Sequence, residues 1–188
     1  MQLKDYIPWI NKEYRKVFFS GIAFDSSQVK KDNIFFAIKG SKSDGNNYIN
    51  SAIKRGAKII ISEKKKFKDV KNIIFITSKN VRKLLASISF KILNQKPKTL
   101  IAVTGTNGKS SVADFYYQIL ELNSKKVASI GTIGVRCKNY NKSLENTTLD
   151  PIKLSYLLKD LNKKKIEYVI MEASSHGLKQ NRLDGLLF

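Results

Sequence analysis

The chain has 188 residues, 42% of them hydrophobic, which is enough for one large globular domain or two small ones. Its net charge is +20, but thirty of the thirty-five basic residues are lysines spread along the chain, and only five are the arginines preferred for base recognition. This pattern argues against specific nucleic-acid binding. No apolar run is long enough to span a bilayer, the first residues lack the apolar segment of a signal peptide, and Cys137 is the single cysteine. Together these features predict a cytoplasmic protein.

The first half of the sequence alternates short apolar runs with helical patterns, which predicts an α/β fold. Pro8 disfavours the middle of the first helix, Gly56 is expected to close the second, and Asn80 to cap the third. Polar residues 94–98 then interrupt the pattern. They predict a boundary between an N-terminal domain, residues 1–96, and a second domain, residues 97–188. The expected strands cover 20–25, 33–38, 58–62 and 72–77, and the expected helices cover 3–11, 48–55 and 81–92.

A pattern typical of a phosphate-binding loop follows this break. The apolar run from Leu100 to Val103 predicts a buried strand, and two glycines come directly after it. Apolar residues then recur at the spacing of an amphipathic helix: Val112, Phe115, Tyr116 and Ile119. Glycines in such a loop let backbone N–H groups approach phosphate oxygens, and the N-terminus of the helix adds positive potential. Because Val103 stands where the common motif has glycine, the loop is a shorter variant, and an ordinary glycine turn is the alternative.

The motif predicts specific roles for two residues of the loop. Lys109 is expected to reach the β- and γ-phosphates of a bound nucleotide, and the hydroxyl of Ser110 is expected to bind Mg²⁺. The predicted nucleotide-binding residues are Gly105, Thr106, Asn107, Gly108, Lys109, Ser110 and Ser111.

The rest of the second domain also alternates strands and helices, which predicts a mainly parallel sheet. Strands are expected over 126–130 and 166–171. A helix is expected after Asp150 as its cap, with Pro151 at its first position. Three strands make a small core, and the final Leu186-Leu187-Phe188 is typical of the start of a buried strand. We therefore expect this domain to be incomplete.

Glu172 follows the last predicted strand of the domain. Ligands bind at the carboxyl edge of open α/β sheets, so a carboxylate there is placed to hold Mg²⁺ or to orient a water. A helix-capping or solvated glutamate fits the same position.

Several motifs occur in an order that resembles the Mur ligases of peptidoglycan synthesis, and the resemblance covers nearly the whole chain. The glycine-rich loop alone points only to a superfamily that includes folylpolyglutamate synthase, and the segments around 145–148 and 171–178 narrow it to the ligases that add a diamino acid. The motifs are 25–30, 40–45, 104–111 (TGTNGKSS), 145–148 (ENTT), 171–178 (MEASSHGL) and 180–182.

The resemblance implies a three-domain enzyme, of which this chain carries a small UDP-substrate-binding α/β domain and the first part of a P-loop-type ATP-binding domain. It implies ATP and Mg²⁺ as cofactors. The implied substrates are UDP-N-acetylmuramoyl-L-alanyl-D-glutamate and a diamino acid, meso-diaminopimelate or L-lysine, joined through an acyl phosphate. The chain is also expected to be a monomer, with no membrane partner and, because it has few arginines, no specific nucleic-acid partner.

The resemblance carries site roles onto matching positions. Lys109 and Glu172 are the implied catalytic residues, and Ser110 and Glu172 the implied Mg²⁺ ligands. The implied substrate-binding residues are Phe24, Ser26, Ser41, Lys42, Ser43, Asn146, Thr147, Thr148, Ser174, Gln180 and Arg182.

The chain departs from the family pattern in three respects. Ser110-Ser111 replaces two threonines, which keeps the hydroxyl, and Ser27 replaces an arginine, which removes a cationic contact. The family's further metal ligands and its amino-acid-binding domain have no counterpart in these residues. We therefore expect weak binding of nucleotide or UDP-substrate and no ligation by this chain alone. The alternatives are a related ligase such as folylpolyglutamate synthase and a basic nucleic-acid-binding protein, which would bind any duplex in a salt-sensitive way.

Overall fold

The computed structural model describes residues 1–40, 43–64, 70–138, 140–144 and 146–188. It has two compact units, Met1–Leu85 and Ala86–Phe188, and both have the predicted α/β architecture. The units divide inside the helix Val81–Ile92, whereas the sequence places a domain boundary after residue 96. That boundary stays a prediction. None of the described helices has the length and apolar character needed to cross a membrane.

The first unit contains a four-stranded parallel sheet with the strand order β1-β2-β3-β4. Its two central strands consist almost entirely of buried apolar residues, as expected for parallel strands covered on both faces. Phe35 and Ile60 of these strands pack with Ala52 of a neighbouring helix. The strands are β1 Ile22–Ala23, β2 Asn33–Ala37, β3 Ala57–Ser62 and β4 Ile74–Thr77.

Three helices accompany these strands, one before β1, one between β2 and β3 and one after β4, and their ends follow local sequence rules. The first predicted helix is shorter than expected and stops before Pro8, because a residue that precedes proline avoids the helical conformation. Asn80 accepts a hydrogen bond from the backbone N–H of Lys83 at 2.8 Å, as predicted for a helix cap. The helices are α1 Leu3–Tyr6, α2 Ile49–Lys54 and α3 Val81–Ile92, with 3-10 turns at Lys12–Tyr14, Ser26–Gln28 and Gly45–Tyr48.

The second unit contains a five-stranded sheet with the strand order β5-β9-β6-β7-β8. Strands β5, β9 and β6 are parallel, as predicted, and β7 and β8 add an antiparallel hairpin that the sequence analysis did not predict. The strands are β5 Thr99–Val103, β6 Val127–Gly131, β7 Gly134–Cys137, β8 Tyr140–Lys142 and β9 Tyr168–Glu172.

Helices α4 Lys109–Leu122, α5 Pro151–Lys163 and α6 Ser175–Lys179 complete this unit. Helix α5 begins as predicted: the Asp150 carboxylate accepts from the backbone N–H of Lys153 at 2.9 Å, and Pro151 occupies the first turn. Its leucines are buried in the main core with residues of β6 and β9. The end of the chain differs from expectation, since 186–188 form no strand and Leu187 and Phe188 are exposed.

Helix α4 forms where the spacing predicts it, but the residues that define its apolar pattern are exposed. Ala113 and Tyr117 are the buried residues of α4, and they pack with Val127 and Ile170 of the sheet. By contrast, Val112, Phe115, Tyr116 and Ile119 are between 46% and 63% exposed. Periodicity therefore located the helix without identifying the face that meets the sheet.

Side chains on one side of α4 contact the β7–β8 hairpin. The Arg136 guanidinium on β7 forms a 2.7 Å ion pair with Asp114 and lies 4.4 Å from the ring centroid of Tyr117. The Tyr117 hydroxyl in turn donates to Glu121 at 2.6 Å. Burial, together with the neighbouring Glu121 carboxylate, raises the pKa of Tyr117 to about 12.

Candidate functional site

The glycine-rich loop connects β5 to α4, and its backbone requires glycine at two places. Gly105 has φ +150° and Gly108 has φ +76°, both in the region that side chains disfavour. Gly108 is also the N-cap of α4. Because the first N–H groups of a helix lack intrahelical partners, this end of α4 offers donors and positive potential to an anion. Thr106 and Asn107 lie exposed in the loop.

The Lys109 side chain folds back over this loop. Its Nζ donates to the backbone oxygen of Gly105 at 2.8 Å and to that of Thr106 at 3.1 Å. The ammonium is therefore held beside the loop, where a phosphate on the helix N-terminus would meet it. Ser111, the last of the predicted loop residues, is exposed.

Glu172 lies at the carboxyl end of β9, between β5 and β6, and is only 4% exposed. Its Oε2 accepts from the Ser110 hydroxyl at 3.0 Å and from the Thr132 hydroxyl at 3.1 Å, and its Oε1 accepts from the Thr132 backbone N–H at 2.9 Å. Gly131 makes room for the carboxylate, since a Cβ there would lie 2.1 Å from Oε1. The loop helix and two strand ends thus converge on one buried acid.

Hydroxyl groups continue from this acid into the segment that follows β8. Thr132 Oγ1 lies 3.0 Å from Thr147 Oγ1, and Thr148 Oγ1 donates to the Glu172 backbone oxygen at 3.1 Å. Thr148 Oγ1 also lies 3.1 Å from Ser174 Oγ. The predicted substrate residues Thr147, Thr148 and Ser174 therefore form one network with the predicted metal ligand Glu172.

Arg182 joins this hydrogen-bond network through Thr148 and also contacts Gln180. Its Nη1 donates to the Thr148 backbone oxygen, while Nε and Nη2 donate to Gln180 Oε1 at 3.0 and 2.8 Å. Gln180 Nε2 lies 2.7 Å from His176 Nε2. Asn146 is exposed. The structure thus brings Gln180 and Arg182 together with Thr148, and their role in substrate binding stays a prediction.

These groups have the chemistry of a magnesium-phosphate site. A carboxylate and hydroxyl oxygens are the hard ligands that Mg²⁺ prefers, and Mg²⁺ is commonly held by one or two carboxylates together with substrate phosphates. The parts of the chain that the structure describes contain no group of three or more His, Cys, Asp or Glu side chains arranged for a metal ion. Ser110 and Glu172 therefore fit a cation that a bound phosphate helps to hold.

The predicted residues of the first unit follow the carboxyl ends of its neighbouring parallel strands. Phe24 follows β1 and is half-buried, and Ser26 begins the 3-10 turn that Asp25 caps. Ser43 is exposed, and its backbone oxygen accepts from the Gly40 N–H at 2.8 Å. Ser41 and Lys42 lie outside the described residues, as does position 145 of the second unit. The roles of all these residues in binding stay predictions.

Next to Ser43, Asp44 organises the loop that follows β2. Its carboxylate accepts hydrogen bonds from the backbone N–H of Asn46 at 2.9 Å and from the Asn46 side chain at 2.6 Å. The backbone hydrogen bond is the main cause of the lowered pKa of Asp44. Asn46 Oδ1 in turn accepts from the Ser62 hydroxyl at the end of β3 at 2.6 Å. The loop is thereby joined to the carboxyl edge of the first sheet.

Thr132 makes two of the three hydrogen bonds to the Glu172 carboxylate, and its role was not predicted from the sequence. The role of Gly131 was not predicted either. Gly131 is the last residue of β6 and Thr132 follows it; since this parallel strand was predicted, their position at the sheet edge that holds Glu172 was the available indication.

A glycine loop between a parallel strand and a helix, with a buried carboxylate on the adjacent strand, defines a phosphate-loop α/β protein. Two family comparisons narrow this class. Residues 103–188 match the Mur ligase middle domain, and residues 19–89 match the Mur ligase family, catalytic domain. The chain belongs to the Mur ligase family.

Individual relatives agree with this assignment. The chain is 45% identical over 167 residues to the UDP-N-acetylmuramoyl-L-alanyl-D-glutamate--2,6-diaminopimelate ligase of Rickettsia conorii, covering 87% of this chain and 34% of the relative. It is 36% identical over 197 residues to the ligase of the same name from Wigglesworthia glossinidia brevipalpis, covering 100% of this chain and 40% of the relative. The chain thus spans well under half the length of the curated relatives it matches.

Two solved structures are also similar to this chain. A structure of UDP-N-acetylmuramoyl-L-alanyl-D-glutamate--2,6-diaminopimelate ligase matches with a TM-score of 0.82 and 29% identity, covering 99% of this chain and 38% of that one. The MurF ligase from Thermotoga maritima in complex with ADP matches with a TM-score of 0.51 and 24% identity, covering 82% of this chain and 32% of that one. This second likeness shows the fold alone.

Proposed function

We propose that the chain forms part of an ATP-dependent ligase that joins 2,6-diaminopimelate to UDP-N-acetylmuramoyl-L-alanyl-D-glutamate. The observation that carries the proposal is the 3.0 Å pair between Ser110, at the start of the loop helix, and the buried Glu172. This pair provides oxygen ligands for Mg²⁺ beside a loop suited to phosphates. The named substrates come from the relatives, whose names specify this ligation.

In this proposal the second unit binds ATP. The backbone of 105–108 and the N-terminus of α4 hold the phosphates, and Lys109 contacts the terminal ones. Ser110 and Glu172 hold Mg²⁺, which neutralises phosphate charge when it is bound. Thr132 keeps the Glu172 carboxylate in place through its two hydrogen bonds.

The proposed reaction runs in two steps. The substrate's D-glutamate carboxylate attacks the γ-phosphorus of ATP, which gives an acyl phosphate and ADP. The amine of the diamino acid then attacks the acyl carbon, which gives the amide and phosphate. Such chemistry depends chiefly on positioning and on charge neutralisation. Arg182 suits the substrate carboxylate because its guanidinium is already oriented by Thr148 and Gln180.

The first unit would bind the UDP end of the substrate through Phe24, Ser26 and the loop 41–43. Its support is the match of residues 19–89 to the family and the position of Phe24 and Ser26 directly after β1 of the parallel sheet. The proposal also includes a cytoplasmic monomer, and the single cysteine, Cys137, is consistent with a reducing compartment.

Calorimetric titration of ATP with Mg²⁺ into the chain tests the nucleotide site. We expect Lys109→Ala to weaken binding by about tenfold or more, which corresponds to a loss of about 1.4 kcal/mol. Lys125→Ala removes an exposed lysine of the same unit and should leave the affinity unchanged. Equal affinities in the two variants, with binding that falls steeply as salt is added, would mean that the +20 charge merely attracts anions and would refute the proposal.

A further inference from the structure

His176 is the only histidine of the chain, and it begins a series of hydrogen bonds that leads to Arg182. Its imidazole is exposed on helix α6, whereas Gln180 and Arg182 are partly buried. Nε2 of His176 lies 2.7 Å from Nε2 of Gln180. Oε1 of Gln180 accepts from Nε of Arg182 at 3.0 Å and from Nη2 at 2.8 Å. The Gln180 amide therefore connects the imidazole to the guanidinium.

The end of α6 brings these three side chains together. His176 and Gln180 are four residues apart, so they lie on the same face of the helix. Asn181 then adopts the left-handed conformation with φ +56°, and the backbone N–H of Arg182 donates to the Gly177 oxygen at 3.0 Å. This arrangement is a Schellman motif, in which the chain reverses direction after the helix. The reversal places the Arg182 guanidinium beside the Gln180 amide.

The orientation of the Gln180 amide determines which nitrogen of His176 carries a proton. A guanidinium has only donors, so the amide group that faces Arg182 is the oxygen. The amide nitrogen therefore faces His176, and it too has only donors. Nε2 of His176 must accept, which requires a neutral ring with its proton on Nδ1. A proton on Nε2 would place two donors 2.7 Å apart.

The Arg182 guanidinium is held on two sides. Gln180 Oε1 accepts from Nε and Nη2, and the backbone oxygen of Thr148 accepts from Nη1. Of the five N–H donors of a guanidinium, these contacts leave one on each terminal nitrogen. Such a pair suits the two oxygens of a carboxylate. The direction of the pair depends on the Gln180 amide keeping its oxygen toward Arg182.

We infer that His176 is a positioning residue: its neutral imidazole accepts from the Gln180 amide and thereby keeps the amide oxygen on Arg182. The inference rests on the proposed function, in which Arg182 binds the D-glutamate carboxylate of the substrate. His176 acts through Gln180 and needs no contact with the substrate. A side chain without an acceptor at position 176 leaves the amide free to rotate, so the guanidinium loses its fixed direction. A glutamine there supplies an oxygen acceptor and should preserve the arrangement.

Nuclear magnetic resonance tests the geometry without any ligand. Because the chain has one histidine, ¹⁵N-labelled histidine gives a single ring, which at about pH 8 should carry its proton on Nδ1. Free imidazole side chains in water favour the proton on Nε2, so a ring protonated mainly on Nε2 would overturn the inference. The Nε proton of Arg182, assigned by its loss in Arg182→Lys, should exchange with water about fivefold faster in His176→Leu. Lys179→Leu makes the same replacement at another exposed position of α6 and should leave the rate unchanged; equal rates in both variants would also overturn the inference.

Calorimetric titration of UDP-N-acetylmuramoyl-L-alanyl-D-glutamate into the chain tests the consequence for binding. His176→Leu should weaken the affinity about fivefold, His176→Gln should stay within about twofold, and Lys179→Leu should leave it unchanged. In an Arg182→Ala background, His176→Leu should have no further effect, because it acts through Arg182. An unchanged affinity in His176→Leu, or the same loss in the Arg182→Ala background, would overturn the inference. If the unsubstituted chain does not bind this substrate, the result counts against the proposed function, while the tautomer and the exchange rate still decide whether His176 orients Arg182.

Discussion

Gly131→Ala tests whether the space for Glu172 is a requirement of the site. The new Cβ would lie 2.1 Å from Oε1 of Glu172, 2.5 Å from Cδ and 2.7 Å from Cγ, so the carboxylate must move. A moved carboxylate loses hydrogen bonds from Ser110 and Thr132, and bonds to charged groups contribute about 1.5–3 kcal/mol each. Overpacking of a core position typically costs about 1–3 kcal/mol. We expect a destabilisation of the second unit of about 2–5 kcal/mol.

Amide hydrogen exchange measures this loss in the unit concerned. The β9 amides should exchange roughly 30-fold to several thousand-fold faster in Gly131→Ala, at about tenfold for each 1.4 kcal/mol. The β3 amides, which belong to the other compact unit, serve as an internal control.

A mutant cycle decides whether the contact with Glu172 is the cause. Glu172→Ala removes the atoms that the new Cβ would strike, so Gly131→Ala should cost less than about 1 kcal/mol in that background. If Gly131→Ala destabilises the unit as much with alanine at position 172 as with glutamate, the reasoning is refuted.

Three other predictions concern the second unit. Thr132→Val removes a hydroxyl bonded to Glu172 and should lower Mg²⁺-dependent ATP affinity about tenfold by calorimetry, whereas Thr132→Ser should stay within about twofold; equal affinities would contradict this. Because burial and Glu121 raise the pKa of Tyr117 to about 12, its protonated form stabilises the fold below the ordinary value of 10.0, and this contribution disappears as the pH rises through about 12. Urea unfolding should therefore show a smaller alkaline loss in Tyr117→Phe, and identical pH profiles would refute that assignment. Asp150→Ala should cost about 1 kcal/mol of α5 stability by amide exchange, while the exposed Asp160→Ala should cost less than about 0.5; equal losses would argue against the cap.

The strands that the sequence predicts well are those whose buried positions form a continuous apolar run. Strands β2, β3 and β9 lie inside parallel sheets, so nearly every position is apolar and the runs stand out. The hairpin of β7 and β8 was missed because its short strands mix Val135 and Cys137 with polar residues. A strand of three or four residues offers too few positions for its alternation to be recognised.

Helix α4 shows a different limit. Apolar periodicity locates the helix, but it does not identify the face that packs on the sheet. The small Ala113 allows close approach to the sheet, while the larger apolar residues face outward. The Glu172 site shows the same limit for chemistry, since the sequence predicts Ser110 and Glu172 as site residues, whereas the contribution of Thr132 depends on how β6 and β9 pair.

The position of the Lys109 side chain over its own loop limits how many hydrogen bonds it can donate to a ligand. An ammonium has three N–H groups, and the backbone oxygens of Gly105 and Thr106 take two of them. One donor is left for an incoming phosphate, and the rotamer entropy of the long side chain has already been lost on folding. A phosphate bound at this loop would therefore meet a cation with one remaining N–H donor and little remaining freedom. The tetrahedral ammonium of a lysine can direct its three donors out of one plane, whereas the donors of an arginine guanidinium lie in one plane.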